Sequence, residues 1–358
     1  MMVSGLPATT DTFFMLARLR NWLDRKRPQS QAAYARRLER EIANYAEDTN
    51  VHDLPDIFHY WSNRYVRPWF EAVGTTHPED LFARYLVEAG RRSNAESPSF
   101  LSIGAGNCDA EVNIARNLID RGLDRFTLEC LDINPQMLER GQAMAHEAGL
   151  NDHLRFSRAD FNQWQPEGHY DGILANQCLH HVQNLEGLFD GIHDGLTDQG
   201  LFITSDMIGR NGHQRWPEAL EIVEREWQKL PERYRYNHQA QRLELDFINH
   251  DCSVDSFEGI RAQDILPLLI ERFSFHVFIA FGNVVDVFID RGFGHNFDAD
   301  SEEDRAFIDR LHEIDEQGFA NGTLKPTHMV AVMARMSSPA ETPYHARGLS
   351  PEQAVRYP

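Results

Sequence analysis

Two glycines and two carboxylates near the middle of the chain are the residues best suited to hold a ligand. Gly104 and Gly106 interrupt Phe100-Leu101-Ser102-Ile103-Gly104-Ala105-Gly106-Asn107-Cys108, an apolar strand-like run followed by helical spacing from Asp109 to Leu118. Lacking a Cβ, they permit a tight turn and let a ligand lie against bare backbone, while the next helix offers unpaired N–H groups. A phosphate-gripping loop needs a third glycine, but Asp109 stands at that position, and a carboxylate there repels a pyrophosphate. The pattern therefore predicts a nucleoside without phosphates over Gly104, Ala105 and Gly106. Asp132 closes the next apolar run, Phe126 to Asp132, roughly 20 residues past the turn, where an acid accepts both ribose hydroxyls, with Ile133 beside it. Asp160 and Phe161 close a third run, offering a carboxylate to an adenine amino group and a ring to flank the base. Asn176 follows a fourth run, Tyr170 to Ala175, and joins the same set.

Taken in order, the glycine turn, the acidic second strand end, Ala159-Asp160-Phe161, and the run from Tyr170 through Leu179-His180-His181-Val182 to Gly200-Leu201-Phe202-Ile203-Thr204 resemble a class I S-adenosylmethionine-dependent methyltransferase of small-molecule type. The resemblance covers Ser99 to about Asp206, and the C-terminal part matches loosely. It implies a Rossmann-like, seven-stranded α/β core whose last strand runs antiparallel between the fifth and sixth, and S-adenosyl-L-methionine as cofactor. Two positions depart from the family pattern. Ser102 stands where an acid commonly precedes the turn, and Cys108 where a third glycine is common, so the amino-acid end of the cofactor calls for another group.

Methyl transfer from a sulfonium is an in-line displacement in which the protein mainly aligns the acceptor and excludes water. For a hydroxyl acceptor a base helps, and His is the side chain poised near neutrality. His180 and His181, after the fourth strand, are the catalytic candidates; packing and loop orientation are the competing roles. The segment His59 to Tyr65 faintly resembles the Tyr-Asp-x-Ser-Asn segment of the cyclopropane fatty-acid synthase branch, with Trp61 in place of the aspartate. That likeness implies Tyr60 and Arg64 on the methionine carboxylate and an aromatic facing the sulfonium; the alternative is packing of Ile57, Trp61 and Tyr65 with Arg64 in solvent. For the acceptor, Trp61, Asp206, Asn211, His213, Trp216, Tyr234 and Tyr236 supply aromatic and polar surface suited to a small metabolite or glycan. His180, Asp206 and His213 could be drawn together around a metal, but no spacing demands one and none is expected.

The elements that must position these residues follow from composition and periodicity. At 358 residues the chain exceeds a minimal core, leaving room for a cap. Helical spacing before the turn predicts an N-terminal helical cap over 1–95, and the core spans 96–336 with a helical lid inserted at 212–262 after the fifth strand. The proline-bearing segment 337–358 is expected as a loose surface tail. A net charge of −20 would repel nucleic acid and anionic membranes, no apolar run is long enough to span a bilayer, and four cysteines show no Cys-x-x-Cys spacing, so a cytoplasmic location with buried thiols is expected. Three other functions stay open: an enzyme that cyclises the aminobutyrate arm of the cofactor, a nicotinamide-dependent oxidoreductase, and a non-catalytic adenosyl-binding module.

Overall fold

The computed structural model describes residues 31–46, 54–254, 256–338 and 342–357. Residues 1–30 and 47–53 of the cap expected over 1–95 lie outside them. Eight strands form one sheet: β1 (Ser99–Ile103), β2 (Thr127–Asp132), β3 (Leu154–Arg158), β4 (Tyr170–Asn176), β5 (Leu196–Met207), β8 (Phe273–Phe281), β9 (His328–Arg335) and β10 (Tyr344–His345). A separate hairpin pairs β6 (Tyr236–Asn237) with β7 (Arg242–Leu243). The sheet order is β10-β8-β9-β5-β4-β1-β2-β3, and only β9 runs antiparallel to its neighbours, β5 and β8. That is the Rossmann-like α/β core expected from the resemblance, extended by one short edge strand. β1 and β4 at its centre are buried on both faces, which is why they read as continuous apolar runs rather than alternating ones.

The helices, in chain order, are α1 (Gln31–Ala46), α2 (Asp56–Trp61), α3 (Arg67–Ala72), α4 (Pro78–Ser93), α5 (Asp109–Asp120), α6 (Pro135–Glu147), α7 (Leu185–Gly195), α8 (Pro217–Trp227), α9 (Ala262–Arg272), α10 (Asp286–Ile289), α11 (Glu302–Asn321) and α12 (Pro351–Ala354). α4 shows why such segments are helical. Proline opens it, Glu79 and Asp80 occupy the first turn, Arg91 and Arg92 the last, and Asn94 ends it in the left-handed conformation. It buries Leu81, Phe82 and Leu86, each contributing roughly 2 kcal/mol. A Cβ on Gly172 of β4 would lie 2.5 Å from Leu86 Cδ2, so the glycine makes room for α4 against the sheet. α4 is therefore a layer of the core, and the cap expected over 1–95 ends before it.

Two other expectations change. Of the tail expected over 337–358, residues 344–355 are not loose: β10 pairs parallel with β8, Ala354 and Val355 are buried, and a Ser350–Gln353 capping box starts α12. The open apolar edge of β8 is a site that folded chains cover, and this segment covers it. The insertion at 212–262 is helical in α8; beyond Pro231 it continues as a short 3₁₀ turn, the β6–β7 hairpin and loops. Among the described residues no helix is long and apolar enough to cross a membrane.

Candidate active site

The glycine turn is built as its residue types require. Gly104 and Gly106 take φ of 69° and 55°, and Cys108, where a third glycine was expected, also adopts a left-handed φ of 61°. The amides of Gly104 and Ala105 donate to Leu131 O at 2.8 and 3.1 Å, fastening the turn to the end of β2. A Cβ on Gly104 would lie 2.5 Å from Cys178 Cβ, so the turn also rests on the loop after β4. Asp132 sits within this frame, its Oδ2 accepting from Gly106 N at 2.9 Å and its Oδ1 from Asn134 N at 2.8 Å. Burial pushes its pKa up, while the amides of Asn134, Gly106 and Ile133 and the nearby His181 pull it down. Each carboxylate oxygen keeps acceptor capacity for a ribose hydroxyl.

The acid absent at Ser102 is supplied from elsewhere. Glu111, in the first turn of α5, reaches back so that Ser102 Oγ donates to Glu111 Oε1 at 2.7 Å. The carboxyl is buried, and among the described residues Glu111 Oε2 has no hydrogen-bond partner. Desolvation raises its pKa to about 7, against the Ser102 bond. A buried acceptor without a donor, two residues below the glycine turn, fits a cofactor that brings an ammonium group. In sequence only the missing acid at Ser102 points to it.

At the end of β3, Asp160 Oδ1 accepts from Asn162 N at 2.9 Å, and Oδ2 accepts from Gln163 Nε2 at 3.0 Å and from the Tyr34 hydroxyl at 2.8 Å. Tyr34 belongs to α1, which also meets the end of β2, where Asn134 Nδ2 donates to Ile42 O at 3.3 Å. Tyr34 packs edge-on against Phe257, 5.6 Å between centroids. α1 therefore spans the strand ends where an adenosine would lie. Phe161 is half-buried against the apolar cluster around Leu101 and Ile103. Asn176 ends β4 in register with Ser205, and Gln177 follows in the left-handed conformation, turning the chain toward His180.

The acceptor side gathers three segments. His180 Nδ1 lies 2.6 Å from Asp206 Oδ1. Asp206, wholly buried, also accepts from the amides of Cys178, Leu179 and Met207 at 3.0, 2.7 and 2.7 Å. Its burial removes it from contact with an acceptor, the role expected from sequence; it orients His180 instead. Glu258 Oε1 lies 2.8 Å from His213 Nε2 and 3.5 Å from His180 Nε2, and Glu258 Oε2 lies 3.5 Å from His181 Nε2. Burial would keep His180 neutral, but the carboxylates of Asp206 and Glu258 raise its pKa to about 10. Burial likewise opposes charge on Glu258, yet its bonds to His180 and His213 hold it well below the usual carboxylate range. Burial lowers the pKa of His213, which Glu258 only partly offsets. The facing nitrogens and oxygens of His180, His213 and Glu258 all lie within 4.8 Å of one another.

Other residues expected at the site are engaged elsewhere. Tyr60 donates to Asp309 of α11 at 2.9 Å, and Arg64 lies 3.8 Å from the same carboxylate. Trp61 is 1% exposed, packed near Phe281 with its indole N–H toward His312, so it is core rather than acceptor surface. Asn211 exchanges hydrogen bonds with Gln263 at the start of α9. Trp216 precedes α8 beneath the guanidiniums of Arg210 and Arg356. Tyr234 is buried on Asp304 and Phe297, whereas Tyr236 is exposed on the hairpin. Of the proposed acceptor residues, Asp206 and His213 are the two brought to His180. Glu258 lies in a short segment before α9, and its neighbours carry no periodicity that marks it.

Residues 101–202 match the family model described as a methyltransferase domain. A sterol 24-C-methyltransferase of Gibberella zeae is 25% identical over 181 residues, covering 49% of this chain and 43% of that protein. A malonyl-[acyl-carrier protein] O-methyltransferase of Ilyobacter polytropus is 28% identical over 126 residues, covering 35% and 45%. A sterol 24-C-methyltransferase of Pneumocystis carinii is 26% identical over 134 residues, covering 36% and 33%, so the chain spans less than half the length of these curated relatives. Among solved structures, geranyl diphosphate C-methyltransferase from Streptomyces coelicolor aligns at 12% identity and a TM-score of 0.45, covering 86% of this chain and all of that one. With the strand order, the glycine turn and the acid closing β2 already in place, the match over residues 101–202 supports a class I S-adenosylmethionine-dependent methyltransferase domain in this chain.

Proposed function

We propose that the chain moves the methyl group of S-adenosylmethionine to an oxygen or nitrogen of a small metabolite or glycan. The observation that carries this reading is the His180–Asp206 pair, with Glu258 and His213 beside it, at the carboxyl edge of β4 and β5, next to the strand that bears the glycine turn. Open α/β sheets bind ligands at that edge. Relatives named for sterol, malonyl-[acyl-carrier protein] and trans-aconitate methylation support a small acceptor.

The cofactor supplies an electrophilic methyl carbon on a sulfonium; the protein supplies position. Gly104, Ala105 and Gly106 present backbone to the adenosine, Asp132 accepts from the ribose, Glu111 Oε2 faces the ammonium of the methionine end, and Asp160 and Phe161 border the base. His180 and His181 handle the proton of the acceptor, and Asp206 holds the His180 ring in one orientation, which raises the effective concentration of the reacting geometry. Fluorescence-free calorimetry with S-adenosylhomocysteine and NADH tests the cofactor half: binding of the former and not the latter is expected, and the reverse overturns the reading. Mass spectrometry of S-adenosylmethionine turned over with a pool of small hydroxyl and amine acceptors tests the other half. Formation of S-adenosylhomocysteine is expected, whereas methylthioadenosine as the product would assign cyclisation of the aminobutyrate arm instead.

A further inference from the structure

We propose that His180, His213 and Glu258 form a binding site for a divalent first-row transition cation, which holds an oxygen of the acceptor. Two imidazoles and one carboxylate are a donor set that such cations take, and three protein ligands leave coordination positions for outside oxygens. Metal–ligand bonds of about 2.1 Å place adjacent donor atoms about 3.0–3.4 Å apart. His180 Nε2 and Glu258 Oε1 are 3.5 Å apart, His213 Nε2 and the same oxygen 2.8 Å, and the donor atoms of all three residues lie within 4.8 Å of one another, near enough for one ion to draw them together.

The surroundings are built to hold these donors. His180 gives its Nδ1 to Asp206 at 2.6 Å, which leaves Nε2 directed to the cluster, the arrangement in which a buried carboxylate orients a ligating imidazole. Asp206 is fixed in turn by three backbone amides. Backbone hydrogen bonds then fasten the three ligand-bearing segments together: Ile260 N donates to His180 O at 3.1 Å, and Gly212 N donates to Gly259 O at 2.8 Å. His213 itself has a φ of 54°, flanked by Gly212 at 65°, and a Cβ on Gly259 would lie 3.0 Å from the amides of both. A non-glycine residue held there is strained, and such strain persists where the surrounding structure enforces it.

Binding of the ion stands on this geometry alone; its action on the acceptor rests on the methyl-transfer reading. In that action an acceptor hydroxyl bound to the ion loses its proton to solvent. The oxygen then bonds the methyl carbon as the carbon–sulfur bond breaks, and that electron pair remains on sulfur as a thioether. His180 then serves as a ligand rather than as a proton acceptor. The rival account is a hydrogen-bonded cluster in which protons stand where the ion would.

The test titrates Co²⁺ into the full chain after chelator treatment and dialysis, reading the visible ligand-field absorption of the bound ion, with Zn²⁺ calorimetry alongside. One saturable equivalent is expected, weakened at least tenfold by Glu258→Gln and by His213→Gln, and by about 10–100-fold in Asp206→Asn through loss of the orienting carboxylate. S-adenosylhomocysteine affinity, measured on the same proteins, is expected to be unchanged and reports that each variant is folded. Absence of saturable Co²⁺ binding, or binding by Glu258→Gln and His213→Gln as tight as by the unsubstituted chain, overturns the proposal. Cobalt binding without S-adenosylhomocysteine binding would sink the methyl-transfer reading and leave the metal site standing.

Discussion

The two halves of the sheet's carboxyl edge are assembled in different ways. At β1 and β2 the carboxyls are met by backbone amides and a neighbouring hydroxyl: Asp132 takes amides from Gly106 and Asn134, and Glu111 reaches nine residues back to Ser102. At β4 and β5 side chains of separate segments meet one another, His180 pairing with Asp206 and His213 with Glu258, 45 residues on. The first half is a frame of backbone and short loops, of the kind that suits a constant ligand. The second depends on segments that fold around it, and there a family of one fold varies its acceptors.

If this division holds, damage on one side should leave the other intact. The largest effect is expected from His180→Ala: turnover falls by about 10²–10⁴-fold while S-adenosylhomocysteine affinity stays within twofold, and a matching loss of affinity would erase the distinction. Gly104→Ala forces a Cβ toward Cys178 at positive φ and should destabilise the fold by about 3 kcal/mol, read as a drop in thermal midpoint. The buried Glu111 gives a pH signature. Its pKa of about 7 in the fold exceeds the ordinary glutamate value of 4.5, so its contribution is complete below pH 4.5 and is lost as pH rises to 7, about 3 kcal/mol in total. Glu111→Gln should flatten that slope in denaturant titrations at pH 5 and 8, and equal slopes in the two proteins would show that the carboxyl is solvated. Asp132→Ala is expected to weaken S-adenosylhomocysteine by about 1–3 kcal/mol through loss of charge-assisted bonds, and unchanged affinity would remove it from the site. Tyr34→Phe deletes one hydrogen bond to Asp160 and should change that affinity by about 1 kcal/mol or less in calorimetry.

The same contrast explains what could be read from sequence. The strand ends of the cofactor half are legible because a buried parallel strand, a glycine turn and a terminal acid recur at fixed spacing, so Asp132 and the turn stand out without coordinates. α9 and the strand pair β8–β9 are legible for a similar reason, each being a long apolar run with one period. Glu258 was not, because its role comes from Gly212, Gly259 and two backbone hydrogen bonds that join remote loops. Tyr34 sits in a stretch that reads as a solvated basic face, and its packing on Phe257 is a tertiary fact. Tyr60, Trp61 and Arg64 misled in the opposite direction: their density of aromatic and polar groups serves the interface between α2, the turn after it, and α11.

Tyr34 and Ile42 anchor α1 across the ends of β3 and β2 at points one helix-width apart, and the ligand expected there is flat and wedged between them. An adenosine bound between those two points would be exchanged only when this helix swings aside, which would make departure of the product nucleoside, and not the transfer itself, the slow passage in each cycle.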